Sequence, residues 1–371
     1  TDGIDRTIST TLALVRMMSK MLRDENIGPY IVPIIPDEAR TFGMDGLFSQ
    51  AGIYSPDGQN YEPVDAGTIS PYKEAKDGQI LQEGICEAGA LASFMAAGTA
   101  YSHFQLPMIP IYIFYSIFGM QRVGDMVWAC GDAMTKGFLI GGTAGRTTLN
   151  GEGVQHQDGH SHVLASIVPN MMTYDPAFAY ELAVIMQDGI KRMYQDKEDI
   201  FYYITVYNEN YTHPAMPDDS REGILNGMYC FKEASESLLK KFKGKPIHLL
   251  GSGSLMQEVI EAQETLEGEG IPTYIWSVTS YNLLHRDYRD SKNSEKKSYI
   301  ESILDGHDGH FLSVSDWVTL LPDSISHLFP GGLTTLGTDG YGLSETREAL
   351  RDHFGISVKS IVKKAKGLLS N

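Results

Sequence analysis

The chain has 371 residues and a mass of 41.0 kDa, more than one hydrophobic core usually supports, so we expect two domains. Its composition, 42% hydrophobic and 21% charged residues, excludes a disordered, fibrous or coiled-coil protein. Thirty Lys and Arg residues against 47 Asp and Glu residues give a net charge of −17, which repels phosphate backbones and anionic lipids. Neither nucleic acid nor a membrane surface is therefore an expected partner.

Cysteine usage and the apolar stretches indicate where the protein works. Cys86, Cys130 and Cys230 are far apart and odd in number, which predicts neither a disulfide framework nor a zinc site and favours the cytoplasm. The longest apolar stretch, residues 106–120, is shorter than the roughly 20 residues that span a bilayer. We expect no signal peptide, and because the chain starts at Thr1 rather than Met, we expect a fragment or a processed product.

Predicted strands and helices alternate along the first half of the chain. Apolar residues at three- and four-residue steps from Ile8 to Leu22 predict an amphipathic helix that ends near Gly28. The apolar run 30–35 then predicts a buried strand. The alternation continues with a strand at 79–81, a helix at 84–101, a strand at 109–115, a helix through 129 and a strand at 137–142. A glycine-rich loop follows and runs to about His162.

The same alternation resumes after a polar stretch with two prolines, residues 209–219, which is the candidate linker. We predict strands at 246–251 and 272–278 and helices at 254–266, 345–354 and 358–369. Strands that are apolar on both faces and alternate with helices predict parallel sheets covered on both sides. The fold class is therefore α/β, with two doubly wound, mostly parallel-sheet domains at residues 1–215 and 216–371.

The stretch Gly251-Ser252-Gly253-Ser254 lies between a predicted strand and a predicted helix, where backbone N–H groups can bind a phosphate. It lacks the third glycine of the dinucleotide fingerprint. A tight turn without a ligand is therefore the favoured interpretation.

The glycine-rich loop places His156, Asp158, His160 and His162 within seven residues. Such a group can bind zinc or a redox metal, or it can line a polar pocket in which one or two histidines act as acids or bases. The spacing decides only weakly between these interpretations, whereas the close apolar flanks disfavour a solvated loop.

Glu83 and Glu87 are four residues apart, which predicts that they share one face of a helix with the neighbours Ile85, Ala88, Ala90 and Ala92. Small apolar neighbours indicate that at least one of them is buried and can hold a proton at neutral pH. The alternative is a glutamate at a helix N-terminus, stabilised by the helix dipole. The pattern alone favours neither.

Six stretches, taken in order, resemble the thiamine-diphosphate-dependent first component of the pyruvate dehydrogenase complex, of the homodimeric bacterial type among the transketolase-like enzymes. They are PDEARTFGMDGLF (36–48), GQILQEGICEAG (78–89), PMIPIYIFYSIFGMQRVGD (107–125), GFLIGGTAGRTTLNGEGVQHQDGHSH (137–162), YYITVYNENYTHPAMP (202–217) and LGTDGYGLSETREALRDHF (336–354). The resemblance is to the middle, pyrimidine-binding domain and the C-terminal domain. The Gly-Asp-Gly motif that marks the diphosphate-binding N-terminal domain of the family is missing from this chain.

The resemblance implies roles for the residues around the cofactor. Glu87 matches the glutamate that hydrogen-bonds a ring nitrogen of the aminopyrimidine and thereby activates the thiazolium carbon, and Glu83 is not the matching position. Ile85 matches the apolar residue that props the cofactor in its bent shape. Phe118 matches the aromatic ring that stacks on the aminopyrimidine.

The resemblance also implies which residues lie near the reacting part of the cofactor and the substrate. Tyr115, Glu152 and His156 match residues that face the thiazolium and the substrate carboxylate. Glu38, with Asp37, matches an acidic corner near the cofactor.

Arg122 matches an arginine in the polar channel between the two active sites of the dimer. Asp158, His160 and His162 match a string whose individual roles are unassigned, and the resemblance argues against a metal there.

The implied activity is that of an oxidoreductase in acetyl-CoA formation after glycolysis. It decarboxylates pyruvate on thiamine diphosphate and passes the acetyl unit to the lipoyl group of the dihydrolipoyl acyltransferase component. Mg²⁺ is implied with ligands on the N-terminal domain, which with a second subunit of a homodimer would complete the site, so the isolated chain is expected to be inactive. Alternatives are a transketolase or another 2-oxo acid dehydrogenase, a non-catalytic dimerisation fragment and a metal-dependent hydrolase.

Overall fold

Two α/β units make up the computed structural model, which describes residues 3–36, 39–294 and 296–370. The strands of the first unit are β1 (Ile4–Ile8), β2 (Ile31–Ile35), β3 (Ile53–Tyr54), β4 (Glu74–Ala75), β5 (Leu81–Gln82), β6 (Ile109–Tyr115), β7 (Phe138–Gly142), β8 (Met171–Tyr174), β9 (Phe201–Thr205) and β10 (Tyr211–His213). Its helices are α1 (Thr10–Met21), α2 (Gly46–Ala51), α3 (Glu87–His103), α4 (Ser116–Asp132), α5 (Ser161–Ala165) and α6 (Ala179–Ile190), which continues as a π-helical turn, Lys191–Gln195.

The main sheet of the first unit is parallel throughout, in the order β5-β2-β6-β7-β9-β8. Its central strand β6 is buried on both faces, because alternate side chains enter different clusters. Ile111 and Ile113 pack with residues of α1 and α6, whereas Tyr112 and Phe114 pack with residues of α3 and α4. An apolar run without polar alternation is what this two-sided burial requires.

The second unit has a five-stranded sheet in the order β11-β13-β12-β14-β15, parallel except for β11. Its elements are β11 (Met228–Lys232), β12 (Ile247–Gly251), β13 (Thr273–Val278), β14 (His310–Val314), β15 (Leu333–Leu336), α7 (Arg221–Asn226), α8 (Glu236–Leu239), α9 (Met256–Gly268), α10 (Tyr281–Ser291), α11 (Tyr299–Ile303), α12 (Leu320–Asp323), α13 (Arg347–Phe354) and α14 (Val358–Leu368). Leu249 packs with α9 and α14, and Leu250 packs with α10, α11 and α12 on the other face. The predicted fold class is confirmed.

Two sequence-based expectations need correction. The helix predicted from position 84 begins at Glu87, because Gly84 adopts φ of +70°, a left-handed conformation that interrupts a helix. Glu83 therefore lies outside the helix and does not share a helical face with Glu87. The candidate linker at 209–219 contains β10, which pairs with β1 in antiparallel register, Ile4 opposite His213 and Ile8 opposite Tyr211.

The long apolar stretch at 106–120 is divided between strand β6 and helix α4. No helix in the described part of the chain is long and apolar enough to cross a membrane.

Candidate active site

The carboxyl ends of β2, β6 and β7 bring three chain segments together at one edge of the parallel sheet, the edge where α/β proteins bind ligands. The segment after β2 contributes Phe42, whose ring centroid is 5.3 Å from that of Tyr115 at the end of β6. The segment after β7 is the histidine loop, residues 143–160. Sequence reasoning missed Phe42, although its position after a buried strand was a usable signal.

Three of the predicted residues form a ring cluster at this edge. Tyr115 lies 5.8 Å from Phe118 in the first turn of α4, and His156 of the histidine loop lies 5.7 Å from Tyr115 and 5.4 Å from Phe118, measured between ring centroids. Both contacts of the imidazole are edge to face. His156 Nδ1 is 3.4 Å from Glu152 Oε2, yet this buried nitrogen finds no hydrogen-bond partner among the described residues. Buried polar atoms without a hydrogen-bond partner are uncommon in folded proteins.

Glu87 reaches the ring cluster through Arg122. Glu87 is the first residue of α3, and its Oε1 accepts a 2.6 Å hydrogen bond from Arg122 Nη1. The same guanidinium lies over the Phe118 ring, 3.9 Å from the centroid, a cation–π contact. The Glu87 side chain is 15% exposed, so it is largely buried while remaining accessible. It also fits the alternative of a glutamate at a helix N-terminus, and the two interpretations are compatible.

The neighbouring residues are placed differently. Glu83 accepts a hydrogen bond from the Ser93 hydroxyl, which turns its carboxylate towards α3. Ile85, close to Glu87 in sequence, is 68% exposed. Asp37 and Glu38, predicted as an acidic corner, lie outside the described residues.

The three histidines of the sequence motif occupy three different surroundings. His162 is buried with Nε2 2.9 Å from Thr205 Oγ1, and burial lowers its pKa. His160 Nδ1 is 3.3 Å from the Arg146 guanidinium, and Asp158 Oδ1 accepts from the His160 backbone N–H at 2.9 Å. These imidazoles and that of His156 do not converge on one point. Within the described ranges, no group of three or more His, Cys, Asp or Glu side chains could hold a metal ion.

The turn at Gly251 to Ser254 packs against the first unit. Gly253 adopts φ of +51°, and a Cβ built on it would collide with the Tyr207 side chain. Ser254 Oγ is 2.6 Å from Thr148 Oγ1 of the histidine loop. Tyr207 and Thr148 of the first unit therefore pack against this turn.

Two buried residues, one in the histidine loop and one packed against it, were missed by sequence reasoning. Arg146 is 4% exposed and packs over Gly159, and Asp316, directly after the buried β14 and Ser315, is 1% exposed and hydrogen-bonded to the loop. A carboxylate directly after an apolar strand can be recognised in the sequence, as Asp37 was. The hydrogen bond between Asp316 and Thr148 joins residues 168 positions apart, and the sequence pattern does not predict it.

Comparison with known proteins supports the resemblance seen in the sequence. Residues 1–214 match the family model described as pyruvate dehydrogenase E1 component middle domain, and residues 227–357 match that of the transketolase-like TK C-terminal domain. The pyruvate dehydrogenase E1 component of Pseudomonas aeruginosa is 51% identical over 99% of this chain and 42% of its own length. That of Escherichia coli (strain K12) is 49% identical over 98% of this chain and 41% of its own length.

A likeness in fold extends further than the likeness in sequence. The transketolase of Leishmania mexicana superposes with a TM-score of 0.74 at 16% identity, over 99% of this chain and 46% of that one.

The chain spans about two fifths of the length of the two pyruvate dehydrogenase E1 components. With its first 214 residues matching the middle-domain model and two E1 components about half identical over nearly all of it, the chain belongs to the pyruvate dehydrogenase E1 component family.

Proposed function

We propose that this chain is the pyrimidine-binding and C-terminal part of an enzyme that decarboxylates pyruvate on thiamine diphosphate and transfers the acetyl unit to the lipoyl group of the acyltransferase component. One observation carries the proposal. Glu87, Arg122, Phe118, His156 and Tyr115 form a continuous series of contacts at the carboxyl edge of the sheet. These are residues that the family resemblance matches to cofactor and substrate roles.

The side chains present fit the aminopyrimidine end of the cofactor. A flat heteroaromatic ring needs an aromatic surface and an acceptor or donor for its ring nitrogen, and Phe118 and Glu87, linked through Arg122, supply these. The unpartnered His156 Nδ1 fits a polar ligand group beside them. When bound, thiamine diphosphate supplies the electron sink that decarboxylation of a 2-oxo acid requires.

The chain's own groups would then orient and exchange protons. Arg122 fixes the Glu87 carboxylate through Oε1, and Glu87 can exchange a proton with a ring nitrogen placed against it. His156 can donate or accept at Nδ1, with Glu152 Oε2 3.4 Å away to orient the imidazole. The Phe118 and Tyr115 rings, 5.8 Å apart between centroids, give this side of the site an aromatic lining.

The remaining parts of the proposal concern what this chain does not supply. The diphosphate and Mg²⁺ are assigned to the N-terminal domain, as the family resemblance implies. A second subunit of a homodimer and the dihydrolipoyl acyltransferase component are the proposed partners, and the cytoplasm the proposed location. The proposed boundary between the pyrimidine-binding and C-terminal domains lies between residues 215 and 216.

Substrate turnover by the full-length enzyme tests the proposal. The complete protein that contains this chain is assayed with thiamine diphosphate and Mg²⁺ against pyruvate, 2-oxoglutarate and a ketose phosphate. We expect CO₂ release and lipoyl acetylation with pyruvate at the highest kcat/KM. Preference for the ketose phosphate would favour a transketolase. Failure to bind the cofactor, together with no turnover of any of the three substrates, would favour the alternative of a non-catalytic dimerisation fragment.

A further inference from the structure

We propose that the C-terminal unit positions the histidine loop for catalysis, and that Asp316 is the positioning residue through which it acts. The inference rests on the proposed function, since it concerns the loop that carries Glu152 and His156.

Asp316 is bonded to two consecutive loop residues by both carboxylate oxygens. Its Oδ1 accepts from the backbone N–H and the hydroxyl of Thr147, at 2.8 and 2.9 Å. Its Oδ2 accepts from the backbone N–H and the hydroxyl of Thr148, at 2.9 and 2.6 Å. Hydrogen bonds to a charged acceptor are the stronger kind, and here four of them meet at one buried side chain.

The loop is shaped to admit this carboxylate. Gly145 adopts φ of +92°, and a Cβ built on it would collide with Asp316 Oδ2. Thr148 Oγ1 also contacts Ser254 Oγ, which lies in the turn after β12. Residues that follow two adjacent strands of the C-terminal sheet, β12 and β14, therefore meet at Thr148.

A second set of attachments flanks the catalytic candidates themselves. Gly151, next to Glu152, donates its N–H to Glu345 O at 2.9 Å. Gln157, next to His156, accepts from the Leu343 N–H at 2.7 Å through its side chain.

The same segment of the C-terminal unit also holds the start of the loop. Arg347 Nε donates to Thr148 O at 2.6 Å, and Arg146 donates to Thr338 O. Residues 338–347 are thus hydrogen-bonded to the loop on both sides of Glu152 and His156.

The loop needs such attachments because of its composition. Gly145, Gly151 and Gly153 all adopt positive φ, and glycine-rich backbone loses the most conformational freedom when it is ordered. The ring cluster needs His156 within a narrow range of positions against Tyr115 and Phe118. We therefore assign to Asp316 the task of holding the loop in the one conformation that makes these contacts.

The test is Asp316→Asn in the full-length enzyme. The amide keeps one acceptor but turns an NH₂ group towards the Thr147 or Thr148 N–H, so the backbone bond to that residue is lost, whereas its hydroxyl can rotate and accept from the NH₂ group. We expect faster hydrogen–deuterium exchange of the loop amides and a fall of about tenfold or more in kcat with pyruvate, since small displacements of catalytic groups are costly. Affinity for thiamine diphosphate should stay within about twofold, because Glu87 and Phe118 lie on α3 and α4.

Glu181→Gln is a matched control. Glu181 is equally buried and also accepts four hydrogen bonds, from Tyr229 Oη, Ser277 Oγ and the backbone N–H groups of Ala177 and Phe178. Like Asp316 it links the two units, but all four donors lie outside the histidine loop. We expect a comparable loss of thermal stability with unchanged loop exchange and a kcat within about twofold of wild type.

A variant on the loop side keeps the inference testable if Asp316→Asn does not fold. Thr147→Val with Thr148→Val removes both hydroxyl donors and keeps both backbone bonds, so a smaller change in the same direction is expected. Unchanged loop exchange and kcat in a folded Asp316→Asn enzyme, or equal effects in Glu181→Gln, would overturn the positioning role. The exchange measurement needs no turnover, so a wild-type enzyme inactive on pyruvate would refute the proposed function and leave this test intact.

Discussion

Glu87→Gln in the full-length enzyme separates a catalytic carboxylate from a structural one. The substitution conserves size and removes the negative charge. It weakens the contact with Arg122, whose side chain is 47% exposed, so solvent screening limits this ion pair to about 1 kcal/mol or less. Loss of a charge in the first turn of α3 adds about 0.3–1 kcal/mol. The cost in unfolding free energy should therefore stay below about 2 kcal/mol.

The expected loss of rate is larger. A glutamine cannot exchange a proton with the aminopyrimidine, so the rate should fall by about 10²–10⁴-fold, which corresponds to about 3–5 kcal/mol of activation free energy. Glu83→Gln is the control, because Glu83 is nearby and hydrogen-bonded to Ser93 but lies outside α3. Its rate should match wild type.

The assay is hydrogen–deuterium exchange at the reactive thiazolium carbon of bound cofactor, measured with the steady-state rate. We expect slow exchange in Glu87→Gln and normal exchange in Glu83→Gln. Exchange in Glu87→Gln as fast as in wild type, or slower exchange in the Glu83 variant, would refute the assignment of the activating carboxylate.

Further predictions concern the cofactor, the substrate, acid stability and the chain alone. Phe118→Ala should weaken thiamine diphosphate binding by an increment that includes about 0.5–1.5 kcal/mol of stacking, checked by titration; an unchanged dissociation constant contradicts stacking. His156→Ala should slow pyruvate-dependent steps with little change in cofactor affinity, and stopped-flow kinetics distinguish the two. Burial lowers the pKa of His248 to about 4 from 6.5, so protonation favours unfolding and should cost about 2 kcal/mol of stability as pH falls from 7 to 5. In His248→Asn, which keeps an acceptor for Trp276 Nε1, denaturant titrations should show this loss removed; an equal loss in both proteins excludes His248 as the source. The isolated 371-residue chain should not turn over pyruvate with cofactor and Mg²⁺, and measurable CO₂ release would contradict this.

The sequence predicted the sheet cores well because a strand buried on both faces leaves an uninterrupted apolar run. Residues 109–115 were predicted and found as β6, and 137–142 differs from β7 by one residue. The start of α3 was missed because the left-handed conformation of Gly84 overrides helical spacing. The pairing of β1 with β10 joins short segments some 200 residues apart, and local pattern carries no information about such a partner.

Some residues of the candidate site were predicted from the sequence and others were missed, because contacts between distant segments leave no local pattern. The family resemblance named Tyr115, Phe118 and His156, and the structure places their rings in contact. Their roles stay predictions. Asp316 was missed because its function depends on how two units pack, which neither composition nor periodicity of one segment specifies.

The antiparallel pair of β1 and β10 has a consequence for how such proteins are assembled from genes. Ile4 and His213 are opposite each other, so the two ends of the segment 4–213 are neighbours in space. A module whose two ends meet can be joined to other modules, or inserted among them, without rerouting its interior. Joining or dividing genes at the ends of β1 and β10 would leave the parallel sheet and its carboxyl edge unchanged. The segment between these ends can therefore be transferred from one protein to another as a unit.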